Sequence, residues 1–224
     1  MEGVIQEALP LGLYNIKFTG GEPFLNPLFF EYLERFSKWD LTFSIETNGT
    51  LLDNRTAEKL KTYNIKHISV SLDGSNAEIH ESIRRVKGSF GQALNGIQAL
   101  TENNLYPQVI FCLQKSNAHD LEDTIRLARE LKIKSFEINP VILAAADASR
   151  RNGCKSLTIE EIIELEAMIE YQFSEKYPDI HIDLYIPPAF KGIKELARQA
   201  LSGCNIFTIC GILSNGDVSV CGIG

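Results

Sequence analysis

The 224-residue sequence lacks the features that mark membrane, nucleic-acid-binding and exported proteins. It has no apolar run near the roughly 20 residues that a membrane-spanning helix needs, so we expect no membrane partner. Its 22 basic residues are outnumbered by 29 acidic ones. The net charge of −7 argues against nucleic acid as a partner, because phosphate binding relies on clustered Lys and Arg. Residues 1–10 also lack the basic start and apolar core of an export signal.

Cysteine is scarce and odd in number, with five residues in all. Disulfide-stabilised secreted proteins usually have an even and denser set, so the count favours a reducing, cytoplasmic setting. Three of the five, Cys204, Cys210 and Cys221, lie close together, and the Asn215-Gly216 turn between apolar runs predicts a hairpin that brings Cys221 back toward the others. Gathered thiolates bind iron–sulfur clusters or zinc, whereas the alternative is three unrelated buried thiols.

Short β-branched and aromatic runs alternate with amphipathic segments along most of the chain. The first kind predicts strands at Tyr14–Thr19, Leu41–Glu46, Lys66–Leu72, Gln108–Leu113, Ser135–Asn139 and, less regularly, Ile180–Leu184. The second kind predicts helices at Met1–Leu9, Leu28–Ser37, Asp53–Tyr63, Ser89–Asn103, Ala118–Leu131, Leu157–Glu175 and Pro188–Leu201. Asp53 and Asp120 stand where N-caps are expected. Repeated strand–helix units of this length predict an α/β fold with a parallel sheet.

The first three predicted strands end in polar, glycine-containing segments. These segments are Thr19-Gly20-Gly21-Glu22-Pro23, Glu46-Thr47-Asn48-Gly49-Thr50 and Ser69-Val70-Ser71-Leu72-Asp73-Gly74. Each alone is compatible with an ordinary turn. The carboxyl ends of parallel strands meet at one edge of the sheet, where active sites of such folds lie, and glycine lets backbone groups approach a ligand closely. Three such segments in succession therefore predict a site for a small polar ligand.

The segment His80-Glu81-Ser82-Ile83-Arg84-Arg85 follows the third strand. An Arg near the sheet edge suits a ligand carboxylate, because its guanidinium makes two charge-assisted hydrogen bonds. On spacing alone, however, a solvated basic pair beside Lys87 and a histidine on a helix surface are the favoured interpretations. His67, His119 and His181 have no Cys or Glu partners at the spacing of zinc ligands, so no zinc site is predicted.

Together these motifs resemble those of radical S-adenosylmethionine (SAM) enzymes. The matching segments, in the order found in that family, are Gly20-Gly21-Glu22-Pro23, Glu46-Thr47-Asn48-Gly49, Ser71-Leu72-Asp73-Gly74, His80-x3-Arg84 and Gly88-Ser89-Phe90. The end of the sequence is similar to the start of the family's SPASM-type extension. Cys204, eleven residues, Gly216, four residues and Cys221 fit the opening pattern of that extension.

The resemblance implies a partial (β/α)6 barrel of the TIM type that misses its first strand. Residues 1–150 would form the radical SAM core, 151–203 a helical connection, and 204–224 the start of the cysteine-rich extension. It also implies site residues. The backbone at Gly20, Gly21 and Glu22 would hold the amino group of SAM, and Arg84 would bind its carboxylate. Asn48 and Ser71 would lie near the ribose or the methionine part of SAM. Leu113 would line the adenine. Cys204 and Cys221 would bind an auxiliary [4Fe–4S] cluster, with Cys210 as a further ligand or a free thiol.

The resemblance implies a function as well. A reduced [4Fe–4S] cluster would cleave SAM to methionine and a 5′-deoxyadenosyl radical, which abstracts hydrogen from a peptide or protein, with flavodoxin or ferredoxin as electron donor. The family's Cys-x3-Cys-x2-Cys loop does not occur among the 224 residues, and neither do the later cysteines of the extension. We therefore expect an internal piece of a longer enzyme that does not cleave SAM alone. The alternatives are a non-catalytic pseudo-enzyme that keeps the barrel as a SAM- or partner-binding scaffold, and an unrelated α/β-barrel enzyme that uses Glu22, Glu46 and Asp73.

Overall fold

A computed structural model describes residues 2–141, 156–186 and 209–219 of the chain. The chain divides into two compact units, Met1–Tyr185 and Ile186–Gly224. No helix in these three described ranges is long and apolar enough to cross a membrane.

The described part of the first unit alternates strands and helices. Its strands are β1 Asn15–Phe18, β2 Thr42–Thr47, β3 Ile65–Ser71, β4 Gln108–Leu113, β5 Ser135–Pro140 and β6 His181–Leu184. Its helices are α1 Glu2–Ala8, α2 Phe29–Phe36, α3 Asn54–Leu60, α4 Ala77–Arg84, α5 Ser89–Glu102, α6 Leu121–Glu130 and α7 Ile159–Met168, which continues as a π-helix over Ile169–Phe173 and ends as α8 Ser174–Lys176. Short 3-10 turns cover Leu9–Leu11, Pro23–Leu25 and Ala118–Asp120.

The six strands form one parallel sheet whose order follows the chain from β1 to β6. Connections between parallel strands are right-handed as a rule, so a sheet in chain order places its crossover helices on one face. This arrangement is that of a TIM-type barrel, whereas a doubly wound sheet has helices on both faces. It confirms the predicted α/β fold.

The two faces of the sheet differ in polarity because successive side chains of a strand point to opposite sides. One face is apolar and carries Phe43, Ile45, Val70, Phe111 and Phe136, which are buried in a common core with residues of the helices. We call the opposite, polar face the inner face. Its side chains include Lys17, Ser44, Glu46, His67, Ser69, Ser71, Gln108, Ser135, Glu137 and Asp183.

The two predicted N-caps have different outcomes. Asp53 caps α3 as expected: its Oδ1 accepts a hydrogen bond from Thr56 N at 2.7 Å, and the bonds from Thr56 lower the pKa of the carboxyl. Asp120 occupies the N-cap position of α6 as expected, but its side chain makes no capping bond. Its buried carboxylate instead accepts 2.6 Å bonds from Ser75 N and Ser75 Oγ and so ties the loop after β3 to α6. Helix α4, which begins after the capping residue Asn76, is additional to the predicted helices.

The described part of the second unit is a hairpin of β7 Gly211–Ile212 and β8 Val218–Ser219. Gly216 adopts φ +90° in its turn, which confirms the predicted hairpin. Cys210 is exposed and directly precedes β7, whereas Cys204 and Cys221 lie outside the described residues, as does the predicted helix Pro188–Leu201. The predicted boundaries at 150 and 203 stay predictions. Within 156–186, β6 pairs with β5 and so belongs to the main sheet.

Candidate functional site

The loop after β1 leaves its backbone open. Gly20 has φ +108°, a conformation that favours glycine, and no atom lies within 4 Å of the position that a Cβ would occupy at Gly20 or Gly21. The 3-10 turn Pro23–Leu25 follows directly. Gly20 is therefore needed for its backbone conformation, neither glycine is needed for tight packing, and both leave room for a ligand beside the main chain.

The carboxylate of Glu22 joins the ends of β1 and β2. Its Oε1 accepts hydrogen bonds from Thr47 Oγ1 at 2.6 Å and Phe24 N at 3.3 Å, and its Oε2 accepts one from Asn48 N at 2.7 Å. The side chain of Glu22 thus fixes the shape of the site's edge. Both oxygens of this carboxylate are thus engaged within the protein, and the contact of the loop backbone with a ligand stays a prediction.

Asn48 and Ser71 lie where the sequence analysis expects them, at the ends of β2 and β3, and both are half-buried. Asn48 Oδ1 accepts bonds from Thr50 N at 2.9 Å and Thr50 Oγ1 at 2.7 Å, which holds the loop after β2 in a fixed turn. Leu113, at the end of β4, is instead 0% exposed and lies in the apolar core. The structure therefore does not bring the Leu113 side chain to the open edge, and its proposed contact with adenine stays a prediction.

A buried ion pair lies where β3 ends, beside β4. Asp73 is 0% exposed; its Oδ1 accepts a hydrogen bond from Cys112 N at 2.8 Å, and its Oδ2 lies 2.5 Å from Arg84 Nε. Arg84 occupies the last turn of α4, and only 28% of its side chain is exposed. The interpretation of Arg84 as one half of a solvated basic pair is therefore wrong. The sequence names both residues but does not predict that they pair.

His80 belongs to the same cluster. It is 2% exposed, so its expected place on a helix surface is wrong. Its Nδ1 accepts a hydrogen bond from Asp73 N at 3.1 Å, which leaves the ring proton on Nε2, and burial lowers the pKa of the imidazole. The Phe90 ring packs beside it, with 5.8 Å between the ring centroids. His80 and Arg84 are four residues apart and so lie on one side of α4. This spacing is the feature of the sequence from which their common location could have been predicted.

The polar inner face is the second feature that the sequence analysis missed. Gln108 links three strands across it: its Oε1 accepts bonds from Ser69 Oγ at 3.2 Å and pairs with His67 Nε2 at 2.9 Å, while its Nε2 donates to Ser135 Oγ at 3.0 Å. The sequence contains the corresponding pattern, because polar and apolar residues alternate along these strands. A parallel strand that is buried on both faces is apolar throughout, and these strands are not.

The described residues do not match the ligand set of an iron–sulfur cluster. Within these ranges, no group of three or more His, Cys, Asp or Glu side chains could hold a metal ion. The roles of Cys204, Cys210 and Cys221 as ligands of an auxiliary cluster stay predictions, since only Cys210 is among the described residues.

Residues 1–128, more than half of the chain, match the model of the radical SAM superfamily. The chain belongs to the radical SAM superfamily. This membership decides against the unrelated α/β-barrel enzyme, and it implies SAM and a [4Fe–4S] cluster as the cofactors of the family's enzymes.

Two curated relatives illustrate the range of the radical SAM superfamily. The chain is 33% identical over 134 residues to the AdoMet-dependent heme synthase of Methanosarcina barkeri, covering 60% of this chain and 38% of that protein. It is 35% identical over 129 residues to the antilisterial bacteriocin subtilosin biosynthesis protein AlbA of Bacillus subtilis, covering 57% of this chain and 29% of that protein. The chain thus spans about a third of the length of these relatives.

Solved structures of one protein have a similar fold. Streptococcus suis SuiB bound to SAM aligns with a TM-score of 0.80 at 17% identity, covering 99% of this chain and 52% of SuiB. SuiB bound to its precursor peptide SuiA aligns with the same TM-score, over 98% of this chain and 51% of SuiB.

The residues present fit the amino-acid part of SAM. Arg84 Nη2 is buried and has no hydrogen-bond partner in the described part of the chain, and Arg84 Nε and Asp73 Oδ2, although paired by charge at 2.5 Å, make no hydrogen bond there either. Burying such a group without a partner is costly, and a carboxylate is the partner that a guanidinium binds best. An unsatisfied guanidinium and an open glycine backbone suit a ligand that carries both a carboxylate and an amino group.

Proposed function

We propose that this chain supplies the SAM-binding part of a radical SAM enzyme that modifies a peptide or protein. The observation that carries the proposal is the pairing of an accessible backbone at Gly20 and Gly21 with the unsatisfied Nη2 of Arg84. SAM is an α-amino acid with a nucleoside attached, so it presents an ammonium group and a carboxylate that match these two features.

Each residue of the site has a separate task in this proposal. The backbone carbonyl groups from Gly20 to Glu22 accept hydrogen bonds from the amino group, and Arg84 binds the carboxylate. Asn48 and Ser71 lie near the ribose or the methionine part. In radical SAM enzymes, bound SAM supplies the sulfonium bond that is broken. This chain's own residues orient the ligand, and Glu22 keeps the ends of β1 and β2 together around it.

The charge of the inner face supports a peptide as substrate. Glu46, Glu137 and Asp183 share that face, where Lys17 pairs with Glu46 and His181 lies 2.9 Å from Asp183. With neutral histidine, this set of side chains is net negative. It disfavours an anionic ligand such as a tetrapyrrole with propionate groups, and it suits the amide groups and basic side chains of a polypeptide. The names of AlbA and of the SuiB–SuiA complex point to the same class.

Equilibrium dialysis of the 224-residue chain with SAM tests the first half of the proposal. We expect saturable binding of one SAM per chain and about tenfold weaker binding by Arg84→Lys, because an ammonium lacks the planar pair of donors. Lys87→Gln, which removes an exposed cation three residues away, serves as the control and should change the affinity less than twofold. A wild-type chain that does not bind SAM would contradict the proposal.

Fluorescence anisotropy tests the substrate class on the SAM-loaded chain. The probes are a fluorescein-labelled, lysine-containing dodecapeptide and free haem as competitor. We expect the peptide to bind, Glu137→Gln to weaken its binding, and haem not to displace it. Tighter binding of haem than of peptide would instead favour a tetrapyrrole substrate, the class that the name of the M. barkeri relative indicates.

A further inference from the structure

Asp73 has no obvious chemical task at the proposed site, although it is the most deeply buried carboxylate near it. It is 0% exposed, and its two oxygens face two different elements. Oδ1 receives the backbone N–H of Cys112 in β4, and Oδ2 faces Nε of Arg84 in α4. A carboxylate so enclosed does not reach a ligand itself. The only side chain that its oxygens contact in the described part of the chain is that of Arg84.

Asp73 contacts the Arg84 guanidinium only at Nε. The group is planar and carries its donors in a fixed fork, so a buried carboxylate held against Nε by charge restricts where the Nη donors can point. Nη2 is also buried and makes no hydrogen bond among the described residues, while Nε and Asp73 Oδ2, which make none either, lie 2.5 Å apart as an ion pair. Asp73 therefore pairs with Nε, the nitrogen nearest the helix backbone, and Nη2 is left for a second acceptor.

The backbone of Asp73 is fixed as firmly as its side chain. His80 Nδ1 accepts its N–H at 3.1 Å, and Asn117 Nδ2 donates to its carbonyl at 3.1 Å. Asn117 also donates to Cys112 O at 3.1 Å, so the ends of β3 and β4 are joined around the carboxylate. Asp73 is thus a rigid anchor on two strands for a side chain that comes from a helix.

We propose that Asp73 is a positioning residue of the SAM site: it holds Arg84 through Nε so that Nη2 meets the carboxylate of SAM. This inference rests on the proposed function. A positioning role predicts that loss of Asp73 affects recognition of the ligand carboxylate specifically, whereas a purely structural role would weaken binding of every part of the ligand alike.

The test compares the affinities of SAM and decarboxylated SAM, which keeps the sulfonium, ribose and adenine but has no carboxylate. We expect the wild-type chain to prefer SAM by about tenfold or more, and Asp73→Asn to reduce that preference to within about twofold. The Asn oxygen still accepts from Cys112 N, but its NH2 then faces Nε, and two donors do not pair. Because Arg84 is partly exposed, it turns toward solvent instead.

Asp120→Asn is the matched control. Asp120 is another buried carboxylate beside the same loop, and it bonds to Ser75 and Thr124. We expect this variant to keep the full preference for SAM. An Asp73→Asn chain that binds both ligands more weakly by the same factor would overturn the inference and leave the proposed function intact. Absence of SAM binding by the wild type would instead overturn the proposed function, and the inference with it.

A measurement on the unaltered chain covers the case in which Asp73→Asn does not fold. In 15N-arginine NMR spectra, the Arg84 Nε–H signal, identified by its loss in Arg84→Lys, should be protected from exchange with and without SAM. Its Nη signals should become protected on addition of SAM but not of decarboxylated SAM. An Arg84 Nε–H that exchanges freely in the SAM complex would contradict the inference.

Discussion

His80 makes the stability of the folded chain depend on pH. Its ring is buried as the neutral form, and burial is the main cause of its lowered pKa. The positive charge of Arg84 lowers it further, while the charges of Asp73 and Glu81 partly oppose the shift. In the unfolded chain the imidazole titrates near its ordinary value of about 6.5. Between its folded pKa and that value, the unfolded state binds a proton that the folded state does not.

We expect the free energy of unfolding to fall as the pH is lowered from about 7.5 through 6.5, because protons stabilise the unfolded state there. In His80→Asn, whose side-chain oxygen can accept the bond from Asp73 N, the contribution of this residue to the slope should vanish. Urea unfolding at several pH values measures it. Equal slopes in the wild type and His80→Asn would contradict the prediction.

Helix α5 packs so closely on the loop after β2 that one of its positions has no room for a side chain. A Cβ at Gly96 would lie 2.3 Å from Gly49 O and 3.0 Å from Leu52 Cβ. Gly49 itself has φ +76° and directly follows Asn48 of the proposed site. The element that covers the core thus also sets the position of a loop that we expect to contact SAM.

Gly96→Ala should therefore destabilise the first unit by roughly 1–3 kcal/mol, because the added methyl group overpacks the helix against the loop. It should weaken SAM binding as well. Gly91→Ala in the same helix has nothing within 4 Å of its Cβ and should be neutral or stabilising by up to about 1 kcal/mol, as usual for Gly to Ala in a helix. Urea denaturation of the two variants measures both effects, and equal destabilisation would refute the steric explanation.

At the scale of the whole molecule, the proposed site joins parts of the chain that are far apart in sequence. Gly20, Asn48, Ser71 and Arg84 come from the ends of three strands and one helix of a single sheet. A ligand that contacts all of them binds only when the sheet and α4 are assembled. Binding is then linked to folding of the first unit rather than to one loop.

We expect SAM at about 100 times its dissociation constant to stabilise the folded chain by about 2.7 kcal/mol. For a unit of this size, that corresponds to a rise in Tm of roughly 5–10 °C. Decarboxylated SAM at the same concentration should raise the Tm less. Scanning calorimetry measures both shifts, and a Tm that does not move at saturating SAM would mean that the ligand binds outside the folded sheet or not at all.

Local sequence patterns predicted the elements of the sheet well. The strands at Gln108–Leu113 and Ser135–Pro140, the cap Asp53 and the turn at Gly216 all depend on neighbours a few residues away, so a linear pattern contains them. Asp120 occupies the N-cap position predicted on the same basis, but its side chain does not cap α6, because Ser75, 45 residues earlier, binds its carboxylate.

The sequence by itself determined the alternation of strands and helices, the polar glycine-containing strand ends and the resemblance to radical SAM enzymes. These properties depend on residue type, spacing and order along the chain. Only the tertiary structure decided that Arg84 is anchored by Asp73, that His80 is buried in its neutral form, and that one face of the sheet is polar. These depend on contacts across the sheet and between strand and helix. The charge state and direction of a side chain follow from what surrounds it in space.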